Sequence, residues 1–154
     1  MSLVISPAGF GEGGAIPVKY TCHGGNVSPG LSWNGAPATT RSFVLIMEDP
    51  DASAGIFTHW AIFNIPAKVH SLAEGASPGG QRPAGSIEGK NDAGATGYIG
   101  PCPPPGRPHR YFFKLYALSD VLSLKTGASR GQILIGIKGI TVAEAQVMAT
   151  FQVK

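Results

Sequence analysis

An all-β domain is the fold class this sequence predicts, and three features predict it. Glycine (22) and proline (13) are abundant in 154 residues while only 14% are charged, a composition of many turns and short strands. Short runs of branched and aromatic residues recur between Gly, Pro and Asp clusters. The best helix signal comes late, at Ser129 to Lys138. About six or seven strands with one or two short late helices fit this pattern better than an α/β alternation. The length implies one domain over residues 1–154. A chain of this size buries ~70% of its unfolded surface and folds without staples.

Residues 1–14 are Gly-rich around Phe10 and read as a loop. Ile16 to Thr21 is expected as a short strand, His23 to Pro29 as turn, and Leu31 to Trp33 as a brief extended piece with Trp33 in the core. Ser42 to Glu48 is almost wholly apolar and bounded by turn residues, the mark of a strand buried on both faces. Asp49-Pro50-Asp51 ends it, since the residue before proline is driven to extended backbone. Thr58 to Ile65 is the next strand; regular alternation puts His59, Ala61 and Phe63 on one face and Trp60, Ile62 and Asn64 on the other. Glu74 to Arg110 holds sixteen Gly or Pro residues in thirty-seven positions and has no periodic element. Irregular segments of such length usually serve a site, so an ordered loop over a pocket is expected. Tyr111 to Leu118 is a strand with Lys114 outward, and Asp120 to Lys125 is expected to hold a helical turn. Ser129 as N-cap, Gln132 three residues on and Gly139 as stop frame the helix, whose apolar stripe is Ile133 and Ile137. Ile140 to Val153 mixes both periods and is read mostly as strand.

The net charge is +3, but the basic residues are scattered, with Arg107, Arg110 and Lys114 the nearest to a cluster. No nucleic-acid motif accompanies them, so no nucleic-acid partner is expected. No apolar window reaches the ~18 residues of a membrane span. The N-terminus lacks the pattern of a signal peptide, which leads to the expectation of a cytoplasmic protein. In a reducing cytosol Cys22 and Cys102 are expected as free thiols, with a disulfide the lesser alternative.

The chemistry concentrates at strand ends. In Gly97 to Leu118, GYIGPCPPPGRPHRYFFKLYAL, a stiff Gly/Pro turn delivers His109, Arg110 and Tyr111 to the start of a strand. His109 and Tyr111 then share one face, ~7 Å apart, and Arg110 points the other way. Asp49 and His59 lie at corresponding positions beside their own turns. Two imidazoles accept or repel an anion according to protonation, and a carboxylate beside one fixes its tautomer. A tyrosine hydroxyl donates, and the backbone N–H of Cys102 is a further donor between prolines. Such a set suits a phosphate-type head group. Alone, Asp49 and Asp51 also read as turn caps, and His59 as a buried structural histidine. His23 and His70 read as surface or turn residues; Trp60, Tyr98 and Tyr116 read as core.

Three stretches taken together carry more. Asn26-Val27-Ser28-Pro29-Gly30-Leu31-Ser32-Trp33, then Asp49-Pro50-Asp51 followed by His59-Trp60 and Phe63-Asn64-Ile65-Pro66, then the Gly97–Leu118 run appear in order. They resemble the signature regions of the phosphatidylethanolamine-binding protein family, in its short bacterial and archaeal, Raf kinase inhibitor-like branch. The likeness runs from about Tyr20 to the C-terminus. It implies an antiparallel β-sandwich with helices near the C-terminus. It also implies a ligand pocket of Asp49, His59, His109 and Tyr111 with Phe57 as an apolar wall; the turn chemistry adds Cys102 to the expected ligand-binding set, and Asp51, Gly100 and Pro103 to the expected wall. The implied ligands are phosphate, acetate or a phosphoethanolamine-like small anion, without cofactor or metal. A kinase or protease partner and a homodimer are implied as well. Ser53 stands where the family often has proline, altering a loop that in the family is open to a cis bond; Phe57 keeps the aromatic two residues before His59.

The resemblance therefore favours a binding protein over an enzyme. The alternative is a small hydrolase using an Asp–His pair with Cys102, or a metal-dependent enzyme on Asp49, His59 and His109. Against it, the chain has no P-loop, and prolines flank Cys102.

Overall fold

The computed structural model describes residues 2–154. Its strands are β1 (Val4–Pro7), β2 (Leu31–Asn34), β3 (Ser42–Asp49), β4 (Phe57–Pro66), β5 (Ser71–Leu72), β6 (Ile87–Glu88), β7 (His109–Leu118) and β8 (Thr141–Phe151), with helix α1 (Arg130–Gly136) before the last. They form two sheets, ordered β1-β2-β5 and β6-β4-β3-β7-β8, and every strand pairing is antiparallel.

β3 is the central strand, and all eight of its residues are buried. Its alternate side chains serve two cores. Phe43, Leu45 and Met47 meet Ile5, Leu31, Trp33 and Leu72 between the sheets. Val44 and Ile46 pack on the opposite face with Ile133 and Ile137 of α1 and with Leu122. An apolar run without polar alternation is thus the requirement of a strand covered on both sides. The capping box forms: the Ser129 hydroxyl accepts from Gln132 N–H at 3.1 Å, and the Gln132 side chain accepts from Ser129 N–H at 2.9 Å. Gly139, at φ +81°, turns the chain out of α1 and into β8.

Four expectations are corrected. The N-terminal loop contains β1, an edge strand against β2 in which Ile5 is buried while Val4 is exposed. Ile16 to Thr21 is not a strand: Ile16 N–H reaches Thr150 O at 2.8 Å, then Pro17, which has no N–H, starts a 3-10 turn over Val18–Tyr20. Asp120 to Lys125 forms no helical turn, because the Asn64 side chain grips the backbone of Leu122 twice, at 2.8 and 2.9 Å. Lys114 does not simply face solvent; its ammonium lies 3.3 Å from the buried Glu48 carboxylate, which Arg130 also approaches at 3.2 Å.

Two register shifts break the β3–β4 ladder. At one, Met47 opposes Trp60 while Glu48 opposes Thr58, so His59 is an extra residue. The other lies near Asn64, which has φ +54°. The first shift overturns the expected alternation. His59 does not join Ala61 and Phe63 on the helix side but turns to the same side as Phe57 and Tyr111, whose rings lie 4.8 and 5.3 Å away.

Candidate functional site

The C-terminal end of β3 meets the N-terminal ends of β4 and β7, as antiparallel pairing requires. That end supplies Asp49 from β3, Phe57 and His59 from β4, and His109 and Tyr111 from β7. The long irregular segment folds across the opening and adds Ile99 to Pro104. Together they enclose a cavity of about 390 Å³. All nine residues expected at a site line it: Asp49, Asp51, Phe57, His59, Gly100, Cys102, Pro103, His109 and Tyr111. His109 and Tyr111 share a face as expected, with ring centroids 6.5 Å apart.

Each polar group has a defined state. His109 Nδ1 lies 2.7 Å from Asp49 Oδ2, so the ring donates to the carboxylate and its Nε2 is left for the cavity. The other Asp49 oxygen accepts from Asp51 N–H at 2.7 Å, so Asp49 caps its turn and orients the imidazole at once. His59 Nδ1 lies 2.7 Å from Ile99 O; a carbonyl only accepts, so the proton sits on Nδ1. Burial pushes the His59 pKa below its usual 6.5, outweighing the Ile99 carbonyl and the nearby carboxylates. The ring is therefore neutral near pH 7, with a lone pair on Nε2. Burial, with Asp49 and Asp51 nearby, drives the Tyr111 pKa upward, so its hydroxyl remains a donor. That hydroxyl makes no hydrogen bond to the protein among the described residues.

Asp51 is neutralised separately. Arg110 grips it with Nε at 3.0 Å, Nη2 at 2.9 Å and its own backbone N–H at 2.9 Å. The guanidinium holds the Asp51 pKa at about 2. Arg110 points away from His109, as the strand period requires.

The outer wall is tied down by several means. Ile99 N–H donates to His59 O at 3.0 Å, Gly100 N–H to the Asn26 side chain at 2.8 Å, and Cys22 N–H to Pro101 O at 3.1 Å. Gly100 allows the close approach: a Cβ there would stand 2.1 Å from Tyr20 O. Cys22 and Cys102 are joined by a disulfide, with Cα atoms 5.4 Å apart. The expectation of two free thiols is thus overturned. The Pro-rich wall runs along the 20–26 turn, and the residues on the two segments that bring the cysteines together lie too far apart in sequence for the pairing to be read there. Cys102 lines the cavity, but as a half-cystine.

Ala52, Ser53, Ile99, Pro104 and Arg107 also line the cavity, and sequence reasoning did not place them there. Arg107 lies between Gly106 and Pro108 inside the recognised stretch, but it reads there as one of several scattered cations. Ile99 serves through its backbone, which side-chain chemistry does not announce. The cis peptide bond among the described residues is Ser77–Pro78, outside the Asp49–Ser53 loop.

Comparison with known proteins identifies a family. The family profile described as phosphatidylethanolamine-binding protein matches residues 6–152. A UPF0098 protein of Methanothermobacter thermautotrophicus is 48% identical over 143 residues, 93% of this chain and 94% of that one. A Mycobacterium tuberculosis relative with a lipoprotein name, LppC, is 38% identical and covers 97% of this chain and 72% of its own length. The crystal structure of Escherichia coli YbcL, titled as a member of the mammalian PEBP family, superposes with a TM-score of 0.94 at 31% identity, covering 100% of both chains. The Chlamydia trachomatis homologue CT736 superposes with a TM-score of 0.90 at 37% identity over 99% of each chain. No helix among the described residues is long and apolar enough to cross a membrane. Profile, relatives and superposed folds agree with the motif order and the sheet topology: the chain belongs to the phosphatidylethanolamine-binding protein family.

Proposed function

We propose that the protein is a binding protein for small phosphorylated head groups and that the cavity at the end of β3 is where they bind. The observation that carries this is the state of the polar groups: both carboxylates are already paired, while Tyr111 hydroxyl, His109 Nε2 and His59 Nε2 are left to the cavity. A phosphate group complements this set. Its oxygens accept from the Tyr111 hydroxyl, and in a monoester the remaining O–H donates to an imidazole lone pair. The family description as phosphatidylethanolamine-binding protein supports the same ligand class.

The Asp49–His109 pair also resembles an oriented general base. The thiol nucleophile that the sequence offered for such an enzyme, Cys102, is held in a disulfide. Binding is therefore the reading adopted. Disulfides persist in oxidising surroundings, so this reading takes the working environment to be oxidising, in place of the reducing cytosol expected from the sequence.

The test is an NMR titration of the imidazole signals with inorganic phosphate and with phosphoethanolamine, using His109→Ala as control. His59 and His109 resonances are expected to move together and saturate, and the variant is expected to lose binding. Resonances that stay fixed at millimolar ligand would remove the binding function from this cavity.

A further inference from the structure

The cavity does not end at its mouth. A second hollow of about 560 Å³ adjoins it, and the two share Asp51, Pro104, Arg107 and His109. Two arginines line the second hollow, and they differ in one respect. Arg110 is spent on Asp51, with both guanidinium contacts at 3.0 Å or less. Arg107 has no carboxylate partner among the described residues, although it borders both hollows. Its backbone is held all the same. Gly106 N–H donates to Val153 O at 2.9 Å, and the Gln152 side chain donates to Gly106 O at 2.7 Å. Pro108 confines Arg107 to extended backbone. A cation fixed at its base, exposed, and unneutralised at the junction of two hollows is placed to meet an anion that enters both.

We propose that Arg107 is a specificity-determining residue that selects ligands bearing a carboxylate beside the phosphate, so that serine-type phospho head groups are preferred over ethanolamine-type ones. The proposal rests on the head-group reading of the cavity and deepens it. The phosphate occupies the inner hollow, against Tyr111 and the imidazoles. The carboxylate lies at the mouth, where Arg107 supplies a planar pair of donors. Asp51, which lines both hollows, does not oppose it, because Arg110 already neutralises it.

Phosphoserine and phosphoethanolamine differ by that one carboxylate, which makes the test direct. Calorimetric titration would compare the two, together with their glycerol diesters, glycerophosphoserine and glycerophosphoethanolamine, on the whole protein and on Arg107→Ala and Arg107→Lys. The wild type is expected to bind the serine compound about fivefold more tightly than its ethanolamine counterpart, as an exposed charge pair allows. Arg107→Ala is expected to erase that preference, and Arg107→Lys to keep part of it. A preference confined to the monoesters identifies a free phosphorylated amino acid as the source; one seen in the diesters identifies a lipid head group. Equal affinities in both pairs, or a preference that survives Arg107→Ala, would overturn the role of Arg107 while leaving the cavity reading intact. Failure of all four compounds to bind the wild type would overturn both together.

Discussion

His59 is buried at 5% exposure and donates Nδ1–H to a backbone carbonyl, so its protonation is costly in the folded state. Its folded pKa lies below the unfolded value of 6.5. The unfolded chain therefore binds the proton first as pH falls. Stability linked to His59 is complete above pH 6.5 and declines as pH drops toward the folded pKa. Asp51 acts in a lower window: with its pKa lowered from 3.8 to about 2, its contribution is complete above 3.8 and lost only as pH approaches 2. Both partners of that ion pair are substantially exposed, so its share is small. Urea unfolding at pH 7.5, 6 and 5, with NMR titration of the imidazole signals, checks this. His59 is expected to titrate below 6.5, and the stability of wild type to fall between pH 6.5 and 5; a His59 midpoint above 6.5 would contradict the account. The residue types at this site were legible because each stands beside a Pro or Gly turn at a strand end. Their partners were not: nothing in the sequence pairs Asp51 with Arg110 or His59 with Ile99.

The strand that carries His59 is shaped by its irregularities. One places the imidazole in the cavity, and a strictly alternating β4 would have turned it to the helix side. The other is held by Asn64, whose left-handed backbone and double grip on Leu122 join β4 to the segment before α1. Asn64→Ala removes the grip and keeps the backbone cost, so a loss of about 2–3 kcal/mol is expected in urea unfolding. Asn64→Gly removes the same grip but relieves the backbone, and is expected to lose less. Equal losses would show that φ at this position carries no strain. At α1, Ser129→Ala removes the hydroxyl half of the capping box, keeps the backbone N–H that donates to Gln132, and is expected to cost about 1 kcal/mol. The apolar run of β3, the register of the helix cap and most of β8 were legible from period and capping chemistry. Bulges were not, since an extra residue leaves no mark on hydrophobic alternation. β1 was hidden among glycines, and Ile16 to Thr21 looked like a strand because its residues favour one where proline did not permit it.

Across the whole molecule, the order of three motifs fixed the family and the sandwich, while composition alone reached only an all-β domain. The disulfide joins residues 80 apart in sequence, which only the folded arrangement brings together. Removing it with Cys22→Ser and Cys102→Ser is expected to lower stability by about 2–5 kcal/mol, read from the urea midpoint. The hydrogen bonds from Ile99, Gly100 and Cys22 hold the same wall, so the substituted protein is expected to keep the cavity and its ligand. The bond also turns most of the chain into a covalent ring. β2 through β6 all lie between its two cysteines, as do the exposed turns around Gly55 and Gly79. A protease that cuts at either turn opens the backbone without parting the molecule. On a denaturing gel the clipped protein would migrate as one species until a reductant separates it into two, and a cut made beyond Cys102 would give two pieces without one.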